Sequence, residues 1–231
     1  MRIGVFGGDT AGRTIDQVVA DARQAEADGF ATFVLPQIFG LDNMTVLAII
    51  GRELSRIELG TGVVPTYSRL PITMAQQALT VQQASGNRFT LGIGLSHQVV
   101  VETMWGLSFE KPLRHMREYL AILIPLLHEG TVAFTGETMS MQGTIDVAGR
   151  AAPAVIVAAL GPKMLDLAGS VADGTATWMT GPATLRSYTV PTISAAAERA
   201  GRPAPRISAS LPVCVTDAPD AAREKAATEF Q

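Results

Sequence analysis

Segments with the pattern of buried β-strands alternate with helical segments along most of this chain of 231 residues. The repeat is roughly 30 residues long and the connections are short, as in parallel strands joined by right-handed helical crossovers. Two α/β architectures fit this alternation: an open doubly wound sheet and a closed (β/α)₈ barrel. No GxGxxG motif follows the first strand, which favours the barrel.

Seven strands are predicted from runs of apolar and β-branched residues, at positions 2–7, 31–36, 57–64, 89–94, 154–159, 175–179 and 206–215. Because a (β/α)₈ barrel needs eight strands, we expect one TIM-barrel domain over residues 1–231 that is truncated before strand eight. The alternation is interrupted after the fourth strand, and this predicts an insertion at about 95–150. Within it, residues 112–129 form a helix that Pro125 is expected to kink or split.

The composition excludes several classes of protein. A net charge of −3 without a basic cluster argues against a nucleic-acid surface. There is no signal-peptide pattern and no apolar run of about 18 residues, so we expect a cytoplasmic protein that does not span a membrane. The single cysteine, Cys214, excludes an intramolecular disulfide and is expected to be buried and inert. No His/Asp/Glu cluster has metal-ligand spacing, and no metal site is predicted.

A candidate anion site lies at the junction of the fifth strand and the following helix. Gly161 ends the strand, and Pro162 suits the first position of a helix. The free N–H groups and the dipole of a helix N-terminus favour negative charge at one point. An ordinary parallel crossover without a ligand fits the same stretch equally well.

Four segments carry a resemblance to a known family: QAEADGFATFVLPQ (24–37), the stretch from LGTGVV to GLSH (59–97), HMREYLAILIPLL (115–127) and AALGPKMLDLAGSVADGTATWMTGP (158–182). The chain resembles the bacterial-luciferase-like monooxygenase superfamily, and within it the actinobacterial oxidoreductases that use the deazaflavin F420. The resemblance implies a (β/α)₈ barrel that binds a flavin or deazaflavin at the C-terminal ends of its strands. It also implies a homodimer that acts on a small organic molecule.

The resemblance assigns the cofactor-binding residues by position. It places a non-prolyl cis peptide bond between Gly62 and Val63, against the cofactor ring. Gln37 would face the ring or the substrate. The cofactor would also be bound beyond the fourth and sixth strands and, through its phosphate, at the start of the helix after the fifth strand; these residues are Gly94, Leu95, Ser96, Ala159, Leu160, Gly161 and Thr180.

The candidate catalytic residue is His97, which follows the fourth strand. A histidine can donate a proton or orient a substrate near neutral pH, but it can equally stabilise a loop. The sugar-phosphate dehydrogenases of this family have a His where this chain has Gln37, a Lys where it has Pro182 and a Glu near His97, so that substrate is not expected. Trp105 and Trp178 could belong either to the core or to the pocket wall.

Three functions remain open at this stage. The first is F420-dependent hydride transfer to or from an unidentified organic substrate. The second is an FMN-dependent monooxygenase that uses O₂ and a separate reductase. The third is a non-catalytic barrel that binds a cofactor or is purely structural, because the sequence shows no obvious acid–base pair.

Overall fold

A computed structural model, which describes residues 2–149 and 151–229, contains one large parallel sheet and one small hairpin. The parallel strands are β1 (Gly4–Phe6), β2 (Thr32–Leu35), β3 (Glu58–Thr61), β4 (Val64–Pro65), β5 (Phe89–Gly94), β8 (Ala154–Ala158), β9 (Gly174–Trp178) and β10 (Arg206–Ser210). Their order is β1-β2-β3-β5-β8-β9-β10, and the short β4 pairs with β5 beyond β3. The hairpin consists of β6 (Thr131–Thr135) and β7 (Ser140–Thr144).

Helices connect the strands as the alternation predicts. They are α1 (Ile15–Ala27), α2 (Asn43–Glu53), α3 (Pro71–Ala84), α4 (Pro112–His128), α5 (Pro162–Val171), α6 (Pro182–Thr184), α7 (Val190–Arg199) and α8 (Pro219–Glu229), with π-helical turns at Val100–Met104 and Leu185–Thr189. A capping box begins α1: the Gln17 backbone N–H donates to Thr14 Oγ1, and Thr14 N–H donates to Gln17 Oε1. Within the described residues, no helix is both long and apolar enough to cross a lipid bilayer.

The sheet curls into a nearly closed barrel. Inside it, the Arg206 guanidinium on β10 donates to the Glu58 carboxylate on β3 and, at 3.3 Å, to Thr90 Oγ1 on β5. At the other end of the strands, the centroid of the Phe6 ring on β1 lies 5.3 Å from that of the Trp178 ring on β9. These contacts join strands that are not neighbours in the sheet, which requires strong curvature. The predicted α/β barrel is therefore confirmed, with seven strand positions and β4 as an extension.

Two local predictions were wrong, and a third was wrong in one of its two alternatives. The last strand ends at Ser210 rather than at residue 215, because β10 pairs with β9 alone and their register stops at Trp178. Cys214 lies beyond that end and is exposed, not buried. Pro125 does not split α4, which continues to His128. Since Pro125 is in the last turn of this helix, few backbone hydrogen bonds follow it.

The predicted insertion contains helix α4, which joins β5 to β8, and the hairpin as an addition. The buried Glu118 carboxylate on α4 accepts hydrogen bonds from the backbone N–H groups of Glu137, Thr138 and Met139, at 2.7–3.0 Å, and from the Thr138 hydroxyl. Burial alone would raise the pKa of Glu118, but these hydrogen bonds lower it to about 2. The tip of the hairpin is thereby attached to α4.

Candidate active site

A large pocket lies at the C-terminal ends of the strands and has a volume of about 1120 Å³. This is the end of a β/α barrel at which active sites are built. Nine of the eleven residues that the sequence analysis selected line it: Gln37, Gly62, Val63, Gly94, Leu95, Ser96, His97, Ala159 and Leu160. The other two, Gly161 and Thr180, are not among the described residues that line the pocket.

The floor of the pocket is a bend between β3 and β4. The peptide bond between Gly62 and Val63 is cis, as the resemblance implied. The bend displaces the chain from regular pairing with β5, and the Thr61 side chain replaces the missing backbone hydrogen bonds. Its hydroxyl donates to Gly92 O at 2.7 Å and accepts from Gly92 N–H at 2.8 Å. The role of Thr61 was missed from the sequence, because one buried threonine in a strand carries no distinguishing signal.

The chain on the far side of the floor is Gly94, Leu95 and Ser96. Gly94 is buried against Val63, and Leu95 and Ser96 are partly exposed to the pocket. Ser96 has a φ of 66°, in the left-handed region that non-glycine residues rarely adopt. Met179, directly after β9, has a φ of 54°. Strained residues of this kind concentrate at ligand sites, where the surrounding structure maintains them.

His97 and Gln37 are polar residues of the pocket that follow two different strands, β5 and β2. The His97 side chain is exposed to the pocket and has no hydrogen-bond partner among the described residues. Gln37 also lines the pocket, but its amide is engaged: Oε1 accepts from Asn43 N–H at 2.9 Å and Nε2 donates to Ile38 O at 3.4 Å. His97 is therefore the group that is free to contact a bound molecule, while Gln37 fixes the start of α2.

Helix α5 begins at the edge of the pocket. Gly161 is its N-cap residue, no side chain caps it, and Pro162 is its first residue. Ala159 is buried and Leu160 is largely exposed, and both line the pocket immediately before the cap. The helix N-terminus thus has N–H groups available for an anion, as at phosphate-binding helices. Thr180 is buried beyond β9, outside the lining.

Arg69 is a pocket residue that the sequence analysis did not select. Its guanidinium forms an ion pair with Asp42, the N-cap residue of α2, and donates from Nε to Gln77 Oε1 at 3.1 Å. Its carbonyl accepts a hydrogen bond from the Tyr119 hydroxyl at 3.0 Å. The Arg69 charge is therefore compensated within the protein. Arginine after a strand gives a weak sequence signal, and only the structure places this one at the pocket.

An aromatic cluster supports the segment that runs from β4 to Arg69. The His115 ring on α4 stacks on the Tyr67 ring, with a centroid distance of 3.9 Å and an interplanar angle of 4°. The centroid of the Phe109 ring lies 5.3 Å from that of Tyr67. His115 Nε2 is 3.0 Å from Thr66 Oγ1. Burial lowers the pKa of His115 to about 4, so the ring is neutral at neutral pH.

Comparison with known proteins gives a consistent result. A family model described as luciferase-like monooxygenase matches residues 1–231. A Mycobacterium tuberculosis protein, provisionally named a coenzyme F420-dependent oxidoreductase, is 33% identical over 168 residues, which are 65% of this chain and 47% of that protein. The 5,10-methylenetetrahydromethanopterin reductase of Methanolobus tindarius is 29% identical over 210 residues, 90% of this chain and 64% of the reductase.

A solved structure is similar over nearly the whole chain. The coenzyme F420-dependent tetrahydromethanopterin reductase from Methanopyrus kandleri superposes with a TM-score of 0.75 and 25% identity, over 93% of this chain and 65% of the reductase. This chain thus spans about half to two thirds of the length of the relatives it matches.

Proposed function

Because this chain belongs to the luciferase-like monooxygenase family, we propose that its pocket binds the deazaflavin coenzyme F420 and serves hydride exchange with an organic substrate. One structural observation carries the proposal. The pocket has a floor at Gly62, Val63 and Gly94 and adjoins the uncapped N-terminus of α5. A tricyclic ring and a phosphate need these two features, and the volume of about 1120 Å³ exceeds that of most single-ligand sites.

The fit of the cofactor can be argued from the residues present. The floor depends on glycine, since a Cβ at Gly62 would lie 2.6 Å from Val34 Cγ1 and 2.9 Å from Phe6 Cε2. The rim at Ala159 and Leu160 leads directly to the first turn of α5, which has no competing side-chain cap. Bound F420 supplies the hydride acceptor or donor. The protein residues supply its position and the exclusion of water, with His97 as the candidate proton donor or acceptor toward the substrate.

The relatives described above support F420. The names of two of the three proteins described above refer to F420, and the third is a reductase of methylenetetrahydromethanopterin. A monooxygenase with FMN, O₂ and a separate reductase is the alternative, and the description of the family supports it. Both cofactors have a tricyclic ring and a phosphate, so the floor and the helix N-terminus serve either one.

The deciding experiment is a paired titration of the protein with F420 and with FMN, followed by cofactor fluorescence. We expect F420 to bind at least about tenfold more tightly, a difference of about 1.4 kcal/mol. Preferential binding of FMN would replace the proposal with the monooxygenase alternative. Binding of neither cofactor would leave a non-catalytic barrel. Turnover separates an enzyme from a protein that only binds F420, because only the enzyme would oxidise or reduce the coenzyme, and so change its absorbance, when a substrate is added.

A homodimer belongs to the same proposal through the resemblance to the family, and we also propose a cytoplasmic location. Sedimentation velocity at micromolar concentration tests the first, and a monomer under those conditions would contradict it. Fractionation of the source cells tests the second.

A further inference from the structure

One side of the pocket is built from large apolar side chains. Phe6 is on β1, Ile38 and Phe39 follow β2, and Trp178 ends β9. We call these four side chains the apolar wall. The strands that carry the wall flank β3, β5 and β8, which carry most of the candidate cofactor residues. Because the sheet curls, Phe6 and Trp178 meet with ring centroids 5.3 Å apart and tilted by 36°, so the wall lies across the mouth from β5.

Three of the four side chains of the apolar wall are exposed. Phe39 is 61% exposed, Trp178 is 49% exposed and Ile38 is 44% exposed. Single apolar residues are common on protein surfaces, but several large ones side by side in a concave site indicate a binding surface for apolar groups. The strained Met179, whose N–H donates to Ser210 O at 2.9 Å, directly follows Trp178 and fixes the chain there.

The charges around the pocket restrict the ligand further. Among the described residues that line it, the ionisable side chains are Arg69 and His97, and no Asp or Glu is present. The Arg69 guanidinium is already paired with Asp42 and bonded to Gln77. A substrate with a phosphate, a carboxylate or an ammonium group would therefore find no unpaired permanent charge beside the wall, and burying a charge without a partner is costly.

We propose that the apolar wall binds an uncharged organic substrate with a flat apolar ring, in contact with Phe39 and Trp178. The identification of this molecule as the partner in hydride exchange rests on the proposed function. The wall and the charge pattern together assign the substrate class, because the wall provides apolar area and the lining provides no counter-charge. A sugar phosphate or a charged amine lies outside this class.

The test uses three probes that share one ring system and differ in charge: 2-naphthol, 2-naphthalenesulfonate and 2-naphthylmethylammonium. Isothermal titration calorimetry at pH 7.5 measures their binding to the protein saturated with F420 and, separately, without it. We expect 2-naphthol to bind at least about tenfold more tightly than either charged probe in both conditions. Equal or tighter binding of the sulfonate or the ammonium compound would overturn the proposal.

A matched pair of variants locates the binding site. Phe39→Ala removes a wall residue, and Phe30→Ala removes a phenylalanine that is 37% exposed but does not line the pocket. We expect 2-naphthol to bind about tenfold more weakly to Phe39→Ala and unchanged to Phe30→Ala. Circular dichroism verifies that both variants are folded. If the two variants bind 2-naphthol equally tightly, the apolar wall is not part of its binding site.

The two proposals fail in different ways. If F420 binds and displaces 2-naphthol, the wall belongs to the cofactor site and the inferred substrate class is wrong, while the proposed function stands. If F420 does not bind but 2-naphthol shows the expected preference and loses affinity in Phe39→Ala, the proposed function fails and the neutral apolar site remains.

Discussion

Gly94 packs so closely on Val63 that a Cβ atom at position 94 would lie 2.7 Å from Val63 Cγ2 and 3.3 Å from Ala158 Cβ. Val63 is the second residue of the cis peptide bond, and Gly94 is the last residue of β5. The absence of a side chain at the end of one strand thus makes room for the bend that follows another. Both residues line the pocket, so this contact determines the shape of its floor.

Gly94→Ala is expected to weaken F420 binding about tenfold or more, because the added methyl group must displace Val63 from the floor. Gly60→Ala is the matched control in the neighbouring β3, since its Cβ would make ordinary contacts of 3.5 Å to Thr90 O and Val34 Cγ2. We expect it to retain affinity within about twofold. Fluorescence titration measures both variants, and equal losses would show that the floor does not determine the affinity.

Gly161→Asp is expected to stabilise the fold slightly while weakening cofactor binding. Aspartate is a preferred N-cap residue, Gly161 has a φ of −79°, and a Cβ there would meet no atom within 4 Å. The same carboxylate would compete with a phosphate for the N–H groups of α5 and repel it. Gly161→Ala is the control for size. Thermal unfolding and F420 titration are measured together, and unchanged affinity in Gly161→Asp would contradict the phosphate site.

His97→Ala is expected to lower turnover at least about tenfold and to change F420 affinity by less than about threefold, because His97 is assigned to the substrate side. His128→Ala is the control, since His128 is an exposed histidine in the last turn of α4. Measurement requires a substrate, for which a neutral aromatic alcohol or ketone is the first choice. If the turnover number of His97→Ala is unchanged, the role of His97 is structural and not catalytic.

The stability of the fold should decrease as the pH falls from about 6.5 to about 4. Burial lowers the pKa of His115 from 6.5 to about 4, so in this range the unfolded chain binds a proton that the folded chain does not. The contribution of the neutral His115 ring to the free energy of unfolding is complete above pH 6.5 and amounts to roughly 3 kcal/mol at most. His115→Phe keeps a ring on Tyr67 but does not titrate. Its urea-unfolding free energy should fall less steeply over this pH range than that of the unmodified protein.

If the free energy of unfolding falls equally steeply with pH in His115→Phe and in the unmodified protein, groups other than His115 cause the pH dependence. His128→Phe serves as the control, because it removes an exposed imidazole from the same helix. Glu118 does not account for the effect, since its pKa is lowered to about 2 and its contribution is lost only between about pH 4.5 and 2.

The barrel could be predicted from the sequence because alternation is a property of local residue order. Each strand position, and the residue at the end of each strand, follows from where an apolar run stops. His97 was found in this way, whereas Gly62 and Gly94 were assigned by the resemblance to the family, and the structure brings all three into one pocket. Strand length was less predictable: residues 211–215 have a strand-like composition, but β9 offers no further partner after Trp178.

The apolar wall and its supports could not be derived in the same way. Phe6 and Trp178 meet only because the sheet curls, and Arg69 reaches the pocket because Asp42 and Gln77 bind its guanidinium. Thr61 replaces backbone hydrogen bonds that the bend removes. Each of these relationships joins residues far apart in the sequence, and no spacing rule indicates them.

The β6–β7 hairpin is attached to Glu118 on α4, and it also contacts the irregular connection between β5 and α4. Glu137, at the hairpin tip, also forms ion pairs with Lys111 and Arg114 at the start of α4. Lys111 is the last residue of the connection that begins at Leu95 and carries His97. The ion pair of Glu137 with Lys111 therefore anchors the C-terminal end of the connection that carries His97.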